Sequence, residues 1–516
     1  MAVRNHDAAP EPDAFQSTLD LKHWWRHKNL RALNLWLIIP LISIFSQGQV
    51  VLPISFDGSM MNGLQSVTNW RNYFGTPTGA TLGIFNAAYP LGGIVGVFFS
   101  PVADRWGRRW GLCLGAAVSL VDTNTCCQGM ERLTTRDMAM FVASRLVIGA
   151  GSVIVAGVGA PWITEIAHPS HRATATALFL TSYSLGAICA GWTTFGTFRI
   201  DGEASWRIPS ALQGLPNLIQ LIFLFWVPES PRWLVSHGRS DEAMAMLAHY
   251  HGEGNDRDPV VRREYDEITS ALEAESEAGT GVWSVAREML HGSSANRRRI
   301  LIIVWAAICS QMSGNAFVSY YLSPILTSVG LRSDLQQTLV NATSQMFSWF
   351  SAVYFATLPE KLGRRVMFLC SLAAMWVVVI SITAGSAAFA QDENNKAAGY
   401  SVVIFLYLFS PAYNFGFNGN LGLYIPEILP YHVRVSGLAF FYLVQYCFMI
   451  LSTFAVPVGL ESIQWRLYTV FIAWMVIEFV VVYLVFPETK GYSLEEIADI
   501  FNPRNDEAKD SVGQTV

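Results

Sequence analysis

Long apolar segments alternate with short polar connections along most of this chain. Each apolar segment has about 20 residues, the length at which a helix rising about 1.5 Å per residue crosses roughly 30 Å of hydrocarbon. The pattern predicts an all-α membrane protein with twelve transmembrane helices in two pseudo-symmetric six-helix halves. The predicted spans are approximately residues 33–57, 79–100, 110–129, 138–161, 173–194, 207–227, 300–322, 338–358, 366–389, 400–425, 435–456 and 467–486.

One long polar segment separates the two sets of six spans, and it carries amphipathic helical patterns at 240–250, 260–277 and 282–290. We interpret it as a linker of short helices. The predicted regions are an N-terminal tail (1–32), an N-terminal half (33–227), the linker (228–299), a C-terminal half (300–486) and a C-terminal tail (487–516).

The two halves carry the same short motifs in the same order. Asp104-Arg105-Trp106-Gly107-Arg108-Arg109 returns as Glu360-Lys361-Leu362-Gly363-Arg364-Arg365. Three further elements recur at nearly the same offset: a Glu, an Arg seven residues later, and a Pro-Glu pair after the last span of each half. They are Glu165, Arg172 and Pro228-Glu229 in the first half, and Glu427, Arg434 and Pro487-Glu488 in the second. This repetition indicates an internal duplication.

Composition supports membrane insertion. Of 516 residues, 52% are hydrophobic and 14% are charged, and the mean hydropathy is +0.32. These values exclude a water-soluble domain of this size. With both termini in the cytoplasm, most of the 34 Lys and Arg residues fall on the cytoplasmic side, as the positive-inside rule requires. We therefore expect a multi-pass protein of the plasma membrane with both termini cytoplasmic.

The chain carries no nucleotide-binding glycine loop, no metal-ligand cluster and no nucleophile constellation. Its seven cysteines all lie in apolar segments, which favours packing thiols over a metal site. We therefore predict that the protein is not an enzyme, that it uses no cofactor or metal, and that it binds no nucleic acid. Its expected partners are the lipid bilayer and a small-molecule substrate.

The repeated motifs gather acids and arginines at one face of the membrane. A short loop with an acid, a glycine turn and two arginines can hold the ends of adjacent helices together through charge-assisted hydrogen bonds. Pairs that form when this face closes and separate when it opens would bias a rocking motion between two states. The alternative is simple positive-inside anchoring. The predicted gating residues are Asp104, Arg105, Arg108, Arg109, Glu165, Arg172, Glu229, Arg232, Glu360, Arg364, Arg365, Glu427, Arg434 and Glu488.

With these motifs in view, residues 33 to 500 resemble the sugar porter family of the major facilitator superfamily. Four further motifs resemble its fungal lactose permease and cellodextrin transporter branch: Phe56 to Gln65, Trp206 to Pro209, Gln311 to Asn315 and Tyr413-Asn414. The resemblance implies the major facilitator fold and transport of a sugar by alternating access.

Asp57 and Arg145 are charged residues in predicted spans, where charges are costly and usually functional. Counting residues along their helices places Arg145 roughly 12 Å below the outer surface and Asp57 near or beyond the outer boundary of the hydrocarbon. Helix tilt, Pro40, Pro53 and a cytoplasmic lead-in would bring Asp57 deeper, so we expect both charges in the outer half. An adjacent arginine favours the ionised carboxylate, and separation of the two favours proton uptake. In proton-linked sugar porters the matching pair couples transport to a proton, so the resemblance implies that Asp57 carries the proton and Arg145 is its partner. The alternative is a permanently ionised structural pair.

A sugar site needs amides and hydroxyls for its many hydroxyl groups and aromatic faces for its apolar side. The candidates are concentrated in the second half, where Gly416, Gly419 and Gly422 also allow helix breaking around a cavity. For any single amide, helix packing is an equal alternative. The predicted substrate-binding residues are Gln311, Asn315, Tyr320, Tyr321, Asn414 and Asn418.

Three positions depart from the usual sugar porter pattern. Leu180 replaces an amide, Gly422 replaces a tryptophan common in hexose carriers, and Ser310 replaces a glutamine. These departures favour a larger or less polar substrate, and we expect a disaccharide or similar glycoside. An uncoupled facilitator, a carrier of a non-sugar secondary metabolite and a nutrient sensor remain alternatives. The roles of Asp122 and Glu478 are open, although we interpret Glu478 as a packing residue.

Overall fold

A computed structural model describes residues 21–47, 56–99, 102–128, 135–278, 294–429, 434–492 and 494–501. These residues are almost entirely helical. The helices of the N-terminal half are Lys28–Trp36, Ile38–Gln47, Phe56–Ser66, Thr68–Tyr73, Gly79–Val97, Val102–Trp106, Arg108–Gln128, Thr135–Ile166, Pro169–Thr197, Ala204–Leu212 and Leu215–Phe223. The linker contributes Pro231–Ser236, Ser240–His251 and Pro259–Ala278. The C-terminal half contains Ser294–Met312, Asn315–Tyr320, Leu322–Ser328, Asp334–Phe355, Pro359–Leu362, Arg364–Gln391, Lys396–Tyr413, Gly419–Ile428, Arg434–Ile463 and Leu467–Val485, followed by Leu494–Phe501.

Several of these helices satisfy the criteria for crossing a membrane. Among the described residues, six stretches are long and apolar enough by length and composition alone. The described helices that we assign to the first span, Lys28–Trp36, Ile38–Gln47 and Phe56–Ser66, are each shorter than the 18 residues that this criterion requires. The six stretches are Gly79–Val97, Met138–Ile166, Ala204–Trp226, Arg364–Gln391, Lys396–Ile428 and Gly437–Val485. The third predicted linker helix, 282–290, lies outside the described residues.

Four spans that the apolar pattern predicts as continuous are interrupted. The first breaks at Leu37, and the sixth breaks at Gln213 and Gly214. The seventh breaks at Gly314, whose φ of +94° is a left-handed conformation that glycine adopts without a Cβ clash, and again at Tyr321. The tenth passes through one π-helical segment, Asn414–Asn418, just after Pro411. Hydrophobicity alone cannot report such breaks, because the broken segments remain apolar.

The bundle has two ends that are distinguished by their chemistry. We call the end that carries Asp104–Arg109 and Glu360–Arg365 the arginine end, and the opposite end the distal end. Within the N-terminal half, the fourth span packs along the second and third. Between the halves, the second span packs against the eleventh and the fifth against the eighth.

Glycines allow the second and fourth spans to approach closely. A Cβ added at Gly92 would lie 1.9 Å from the carbonyl oxygen of Leu146, and one at Gly96 would lie 2.4 Å from that of Ala150. These atoms are backbone, so the contact cannot be relieved by rotation of a side chain. Small residues at i and i+4 are a common device for close packing of membrane helices.

Gly92→Ala should therefore destabilise the N-terminal half. The added methyl forces the two helices apart, and overpacking of this kind typically costs about 1–3 kcal/mol. We expect a lower thermal unfolding midpoint for the purified protein in detergent. Gly196→Ala is the matched control, because a Cβ there meets no atom within 4 Å. Equal midpoints for the two variants would contradict the close-packing argument.

Candidate functional site

Asp57 and Arg145 form a direct ion pair inside the N-terminal half. The two residues are only 2% and 3% exposed. The same carboxylate oxygen of Asp57 accepts a hydrogen bond from Gln213 Nε2 at 3.1 Å, and the Arg145 guanidinium lies 5.7 Å from the centroid of the Tyr89 ring. A charge is costly in hydrocarbon, and the oppositely charged partner and the amide reduce that cost.

Arg145 contacts Asp57 through one end of its guanidinium only. Nη1 makes the contact, whereas Nε and Nη2 are buried and have no hydrogen-bond partner among the described residues. The pair therefore lacks the two parallel hydrogen bonds of a bidentate arginine–carboxylate contact. If Asp57 lost its charge, the buried Arg145 guanidinium would have several N–H donors that need other acceptors.

Gln213 was not among the predicted site residues. It lies at the break of the sixth span, and its side chain reaches the first span. The available signal was a glutamine four residues after Pro209, within an apolar segment.

At the arginine end of the N-terminal half, five predicted gating residues form one cluster. The Glu229 carboxylate accepts the backbone N–H groups of Arg108 and Arg109 at 3.0 and 3.2 Å. Arg108 binds Glu165 at 3.1 Å and Asp104 at 2.6 Å. Glu229 thus caps the start of the third span, where the first-turn N–H groups have no partner in the helix.

The C-terminal half repeats this arrangement. Glu488 accepts the N–H groups of Arg364 and Arg365 at 2.8 and 3.1 Å, and Arg364 binds Glu427 at 2.9 Å. The glycines before the two arginine pairs, Gly107 and Gly363, have φ values of +101° and +96°.

The second arginine of each motif binds a backbone carbonyl. Arg109 donates to the carbonyl of Val227 at 2.6 Å, and Arg365 donates to that of Tyr483. Both carbonyls lie at the ends of the last spans of their halves, so each cluster joins three elements of one half. These contacts hold helices within a half and do not tie one half to the other.

The remaining predicted gating residues are placed differently. The Arg105 side chain is exposed beside Trp106, and Arg232 lies in the short linker helix Pro231–Ser236. Arg172 binds the linker residue Glu264 at 2.6 Å, so its partner is not Glu165. The side chains of Glu360 and Arg434 lie outside the described residues, as do those of Asp122 and Leu180.

Glu264 belongs to a buried histidine cluster that docks the linker onto the turn between the fourth and fifth spans. Its carboxylate faces Nδ1 of His251 at 2.7 Å, and Nε2 of His251 faces the carbonyl oxygen of Ile166 at 3.2 Å. Both ring nitrogens of His251 therefore face oxygen atoms of other elements. The ring joins the linker to the membrane-embedded half.

His168 is the neutral member of this cluster. Its ring lies 5.2 Å from that of His251, and Nδ1 accepts the backbone N–H of Ser170 at the start of the fifth span. Burial, followed by the charge of His251, lowers the pKa of His168 from 6.5 to about 4. Burial alone would raise the pKa of Glu264, but the hydrogen bond and charge of His251, with the charge of Arg172, lower it below 4.5.

Hydrogen bonds between the halves are found toward the distal end. Asn62 of the first span donates through Nδ2 to the carbonyls of Val318 and Ser319, at 2.8 Å each, and Gln65 donates to that of Tyr320 at 2.9 Å. The Leu322 N–H returns a bond to Asn62 Oδ1 at 3.3 Å. We call this set of bonds the distal clasp. It satisfies carbonyls where the seventh span breaks, as hydrocarbon requires.

Other contacts reinforce this junction. Arg71 pairs with Asp334 at 3.0 Å, and Thr78 donates to Glu461 at 2.9 Å. Asn62 and Gln65 were not among the predicted site residues. The available signal was two amides at i and i+3 within the motif Phe56 to Gln65.

Gln311 and Asn315 lie in the seventh span, and both are 3% exposed. Asn315 accepts from the Ser319 hydroxyl at 3.0 Å, while its Nδ2 has no hydrogen-bond partner among the described residues. Gln445 of the eleventh span joins them by donating to the Ser310 hydroxyl at 2.9 Å, and its Oε1 is likewise without a partner in the described part. The seventh and eleventh spans thus each carry a buried amide atom without a partner in the described part. Gln445 was missed because it is a lone amide in a long apolar run.

Two predicted binding residues of the tenth span have partners within the protein. Asn414 Nδ2 donates to the Ser348 carbonyl and the Ser351 hydroxyl, both at 2.9 Å, and Asn414 Oδ1 accepts from Asn418 at 3.0 Å. Asn414 therefore ties the eighth and tenth spans together. Tyr321 donates to the Thr453 carbonyl.

The predicted aromatic contacts lie close to the distal clasp. Tyr320 and Tyr321 are fully buried, and their ring centroids are 6.4 Å apart. The carbonyl of Tyr320 is one of those bound by the first span.

Docking of the linker should weaken as the pH falls. Docking lowers the pKa values of His168 and Glu264, so both groups bind protons more readily when the linker is undocked. This difference acts between pH 6.5 and about 4 for His168, and below pH 4.5 for Glu264. Hydrogen exchange of residues 240–278, corrected for its intrinsic pH dependence, should be faster at pH 5 than at pH 7.5. His168→Gln should reduce this difference, whereas the exposed-site control His249→Gln should retain it. If hydrogen exchange of residues 240–278 in the unmodified protein does not change with pH, the proposed dependence of docking on protonation is contradicted.

Comparison with known proteins places the chain in a family. The profile described as "Sugar (and other) transporter" matches residues 50–501. The hexose transporter HXT9 of Saccharomyces cerevisiae is 27% identical over 81% of this chain and 72% of its own length, and the MFS glucose transporter mfs1 of Aspergillus flavus is 27% identical over 87% of each. These relatives do not single out the lactose and cellodextrin branch. The inward-open xylose transporter XylE of Escherichia coli has the same fold, with a TM-score of 0.70, 19% identity, and coverage of 91% of this chain and 99% of that one. The major facilitator fold is thus confirmed, and the chain belongs to the Sugar (and other) transporter family.

Proposed function

We propose that this protein is a proton-coupled carrier that moves a sugar across the plasma membrane by alternating access, with the arginine end facing the cytoplasm. The buried Asp57–Arg145 pair carries the proposal, because an ionisable pair inside a span is costly and marks a proton or substrate pathway. Relatives named as hexose and glucose transporters support a sugar as the cargo.

The first span connects the proton site to the junction between the halves. Asp57 and Asn62 lie on one buried helix, Phe56–Ser66, separated by roughly 7.5 Å of helix rise. Protonation of Asp57 removes its charge, weakens the contact with Arg145 and releases this helix from the fourth span. The same helix holds the distal clasp on the seventh span, so a change at Asp57 reaches the clasp through one rigid element.

The seventh span carries the proposed substrate-binding residues. Gln311 and Asn315 offer amides for sugar hydroxyls, and the carbonyls that Asn62 binds follow in the next turn. A sugar that engages Asn315 therefore acts on the span that the clasp closes. Sugar and proton then bias the same junction, which is the requirement for coupling.

The arrangement of contacts corresponds to an inward-facing state. The halves are hydrogen-bonded through the distal clasp, whereas the arginine clusters hold each half together internally. Each half can then move as a unit, opening at the arginine end while the distal end is closed. In this proposal the arginine clusters take part in gating as rigid supports of each half.

The cargo that we propose is a disaccharide or similar glycoside. A Cβ added at Gly419 or Gly422 would meet no atom within 4 Å, so the tenth span borders open space where hexose carriers resembling this chain have a tryptophan. The extra space favours a substrate larger than a single hexose. Competition of labelled sugar uptake by glucose, lactose, cellobiose and a polyol, in transport-null yeast, distinguishes this cargo from a hexose or a non-sugar metabolite.

Asp57→Asn should abolish proton-driven accumulation. The amide cannot release a proton, so the variant, in proteoliposomes with an imposed pH gradient, should only equilibrate sugar and should not alkalinise the medium. Asp392→Asn, in an exposed loop, is the control and should accumulate sugar normally. Continued accumulation by Asp57→Asn would reject proton coupling at this residue, whereas a failure of the unmodified protein to accumulate sugar would favour an uncoupled facilitator.

Gln311→Ala and Asn315→Ala should each lower the uptake efficiency at least tenfold. Loss of one buried hydrogen bond to a sugar hydroxyl costs about 1.5 kcal/mol, and 1.4 kcal/mol is a factor of ten. Initial uptake rates in proteoliposomes provide the measurement, and thermal midpoints check folding. Asn72→Ala, on the exposed turn before the second span, is the matched control. Normal kinetics in both test variants would place the sugar elsewhere.

A further inference from the structure

An open groove lies on the side of the N-terminal half, between the connection of the second and third spans and the start of the linker. It has a volume of about 620 Å³. The groove is lined by Arg105, Trp106, Trp110, Trp233, His237 and Arg239. None of these residues belongs to the Asp57 pair, the distal clasp or the amides of the seventh span.

One flank of the groove is aromatic and faces outward. Trp106 and Trp110 are 57% and 53% exposed, and the ring of Trp110 packs edge-on against Phe225 with 5.8 Å between the centroids. Phe225 and its neighbour Trp226 are also more than half exposed at the end of the sixth span. Exposed tryptophans at the ends of spans mark the headgroup level of a bilayer.

The other flank is cationic. The Arg105 side chain is exposed. Arg239 donates hydrogen bonds from Nε and Nη2 to the Glu242 carboxylate, at 2.8 and 2.6 Å. The N–H groups of its Nη1 are therefore available to a ligand. His237 stacks on Trp233 at 4.3 Å, and Trp233 donates its indole N–H to the Asp104 carbonyl at 2.9 Å.

Three carboxylates lie near the groove, and each has a partner. Asp104 is bound by Arg108 at 2.6 Å, Glu242 is bound by Arg239, and Glu229 accepts the backbone N–H groups of Arg108 and Arg109. The exposed Arg105 forms no ion pair among the described residues, so its guanidinium is available to a ligand. A groove with guanidinium donors above and exposed indoles at the headgroup level matches an amphipathic anion.

We propose that this groove binds the headgroup phosphate of an anionic phospholipid from the leaflet at the arginine end. Arg105 and the open end of Arg239 contact the phosphate, and Trp106 and Trp110 pack against the glycerol and the first acyl carbons. A soluble phosphate would use the guanidinium groups but would gain nothing from the exposed indoles.

A lipid in this groove bridges two elements of the N-terminal half. Arg105 and Trp106 lie in the helix Val102–Trp106, whereas Trp233 and Arg239 lie in the linker. The bond from Trp233 to the Asp104 carbonyl already joins these elements. The bound lipid strengthens this attachment beside the Arg108 cluster.

Native mass spectrometry of the full chain in detergent, with dioleoyl-phosphatidylserine or dioleoyl-phosphatidylcholine, tests the proposal. The groove variant combines Arg105→Gln, Arg239→Gln and Glu242→Gln. The control variant combines Arg257→Gln, Arg263→Gln and Glu267→Gln, which change the net charge equally and remove another exposed pair, Arg263–Glu267 at 2.7 Å. We expect the groove variant to retain at least fivefold less phosphatidylserine than the unmodified protein and the control to retain it fully.

Three outcomes would overturn the proposal. Equal losses in both variants would show a bulk charge effect, equal retention of the two lipids would show no headgroup recognition, and displacement of phosphatidylserine by millimolar inorganic phosphate would show a soluble-anion site. Thermal midpoints without added lipid check folding. If the triple variant is unstable, Arg105→Gln compared with Arg257→Gln decides the question, because both side chains are exposed.

Discussion

Hydrocarbon offers no hydrogen bonds, so a membrane helix can break only where other groups satisfy its backbone. The seventh span breaks twice, and the carbonyls of residues 318–320 are satisfied by Asn62 and Gln65 from the opposite half. The break and the junction between the halves are therefore one feature. Separation of the halves at the distal end would expose these carbonyls. In the proposed mechanism the bonds of the clasp therefore break and form again as the carrier changes state.

The ion pair in the first half is subject to the same constraint. Asp57 and Arg145 are both almost fully buried, and each lowers the cost of burying the other. Asp57 lies on the helix that carries the clasp. In the proposed mechanism, a change in the charge of Asp57 therefore moves this helix and alters its hydrogen bonds to the seventh span. The amides at 311 and 315 lie on that span. Chemistry at two separate sites thus converges on one helix contact.

The arginine clusters have a complementary role. Glu229 and Glu488 cap the third and ninth spans in the same way, and Arg108 and Arg364 bind equivalent glutamates. Each cluster joins helices of its own half, and in the proposed mechanism this gives each half the rigidity needed to move as a body. In the first half, the histidine cluster and the bond from Trp233 to the Asp104 carbonyl attach the linker to this unit.

The sequence by itself determined the helical membrane architecture, the duplication and the family, because apolar spans of membrane-crossing length and six motifs in order leave few alternatives. Rise per residue, together with helix tilt and the prolines of the first span, also led to the expectation that Asp57 and Arg145 both lie in the outer half of the membrane. Gly416, Gly419 and Gly422 indicated that the tenth span could break. The breaks in the first, sixth and seventh spans were not predictable, because hydropathy responds to side chains and not to the path of the backbone.

Tertiary structure alone decided which polar groups are used and which remain open. Asn414 and Asn315 are both amides in apolar spans, yet Asn414 is occupied by serines of the eighth span while Asn315 has an open amide nitrogen among the described residues. Likewise, Arg172 binds the linker and not the neighbouring cluster. Each outcome depends on residues tens to hundreds of positions away, and only the packing of helices brings such residues within hydrogen-bonding distance.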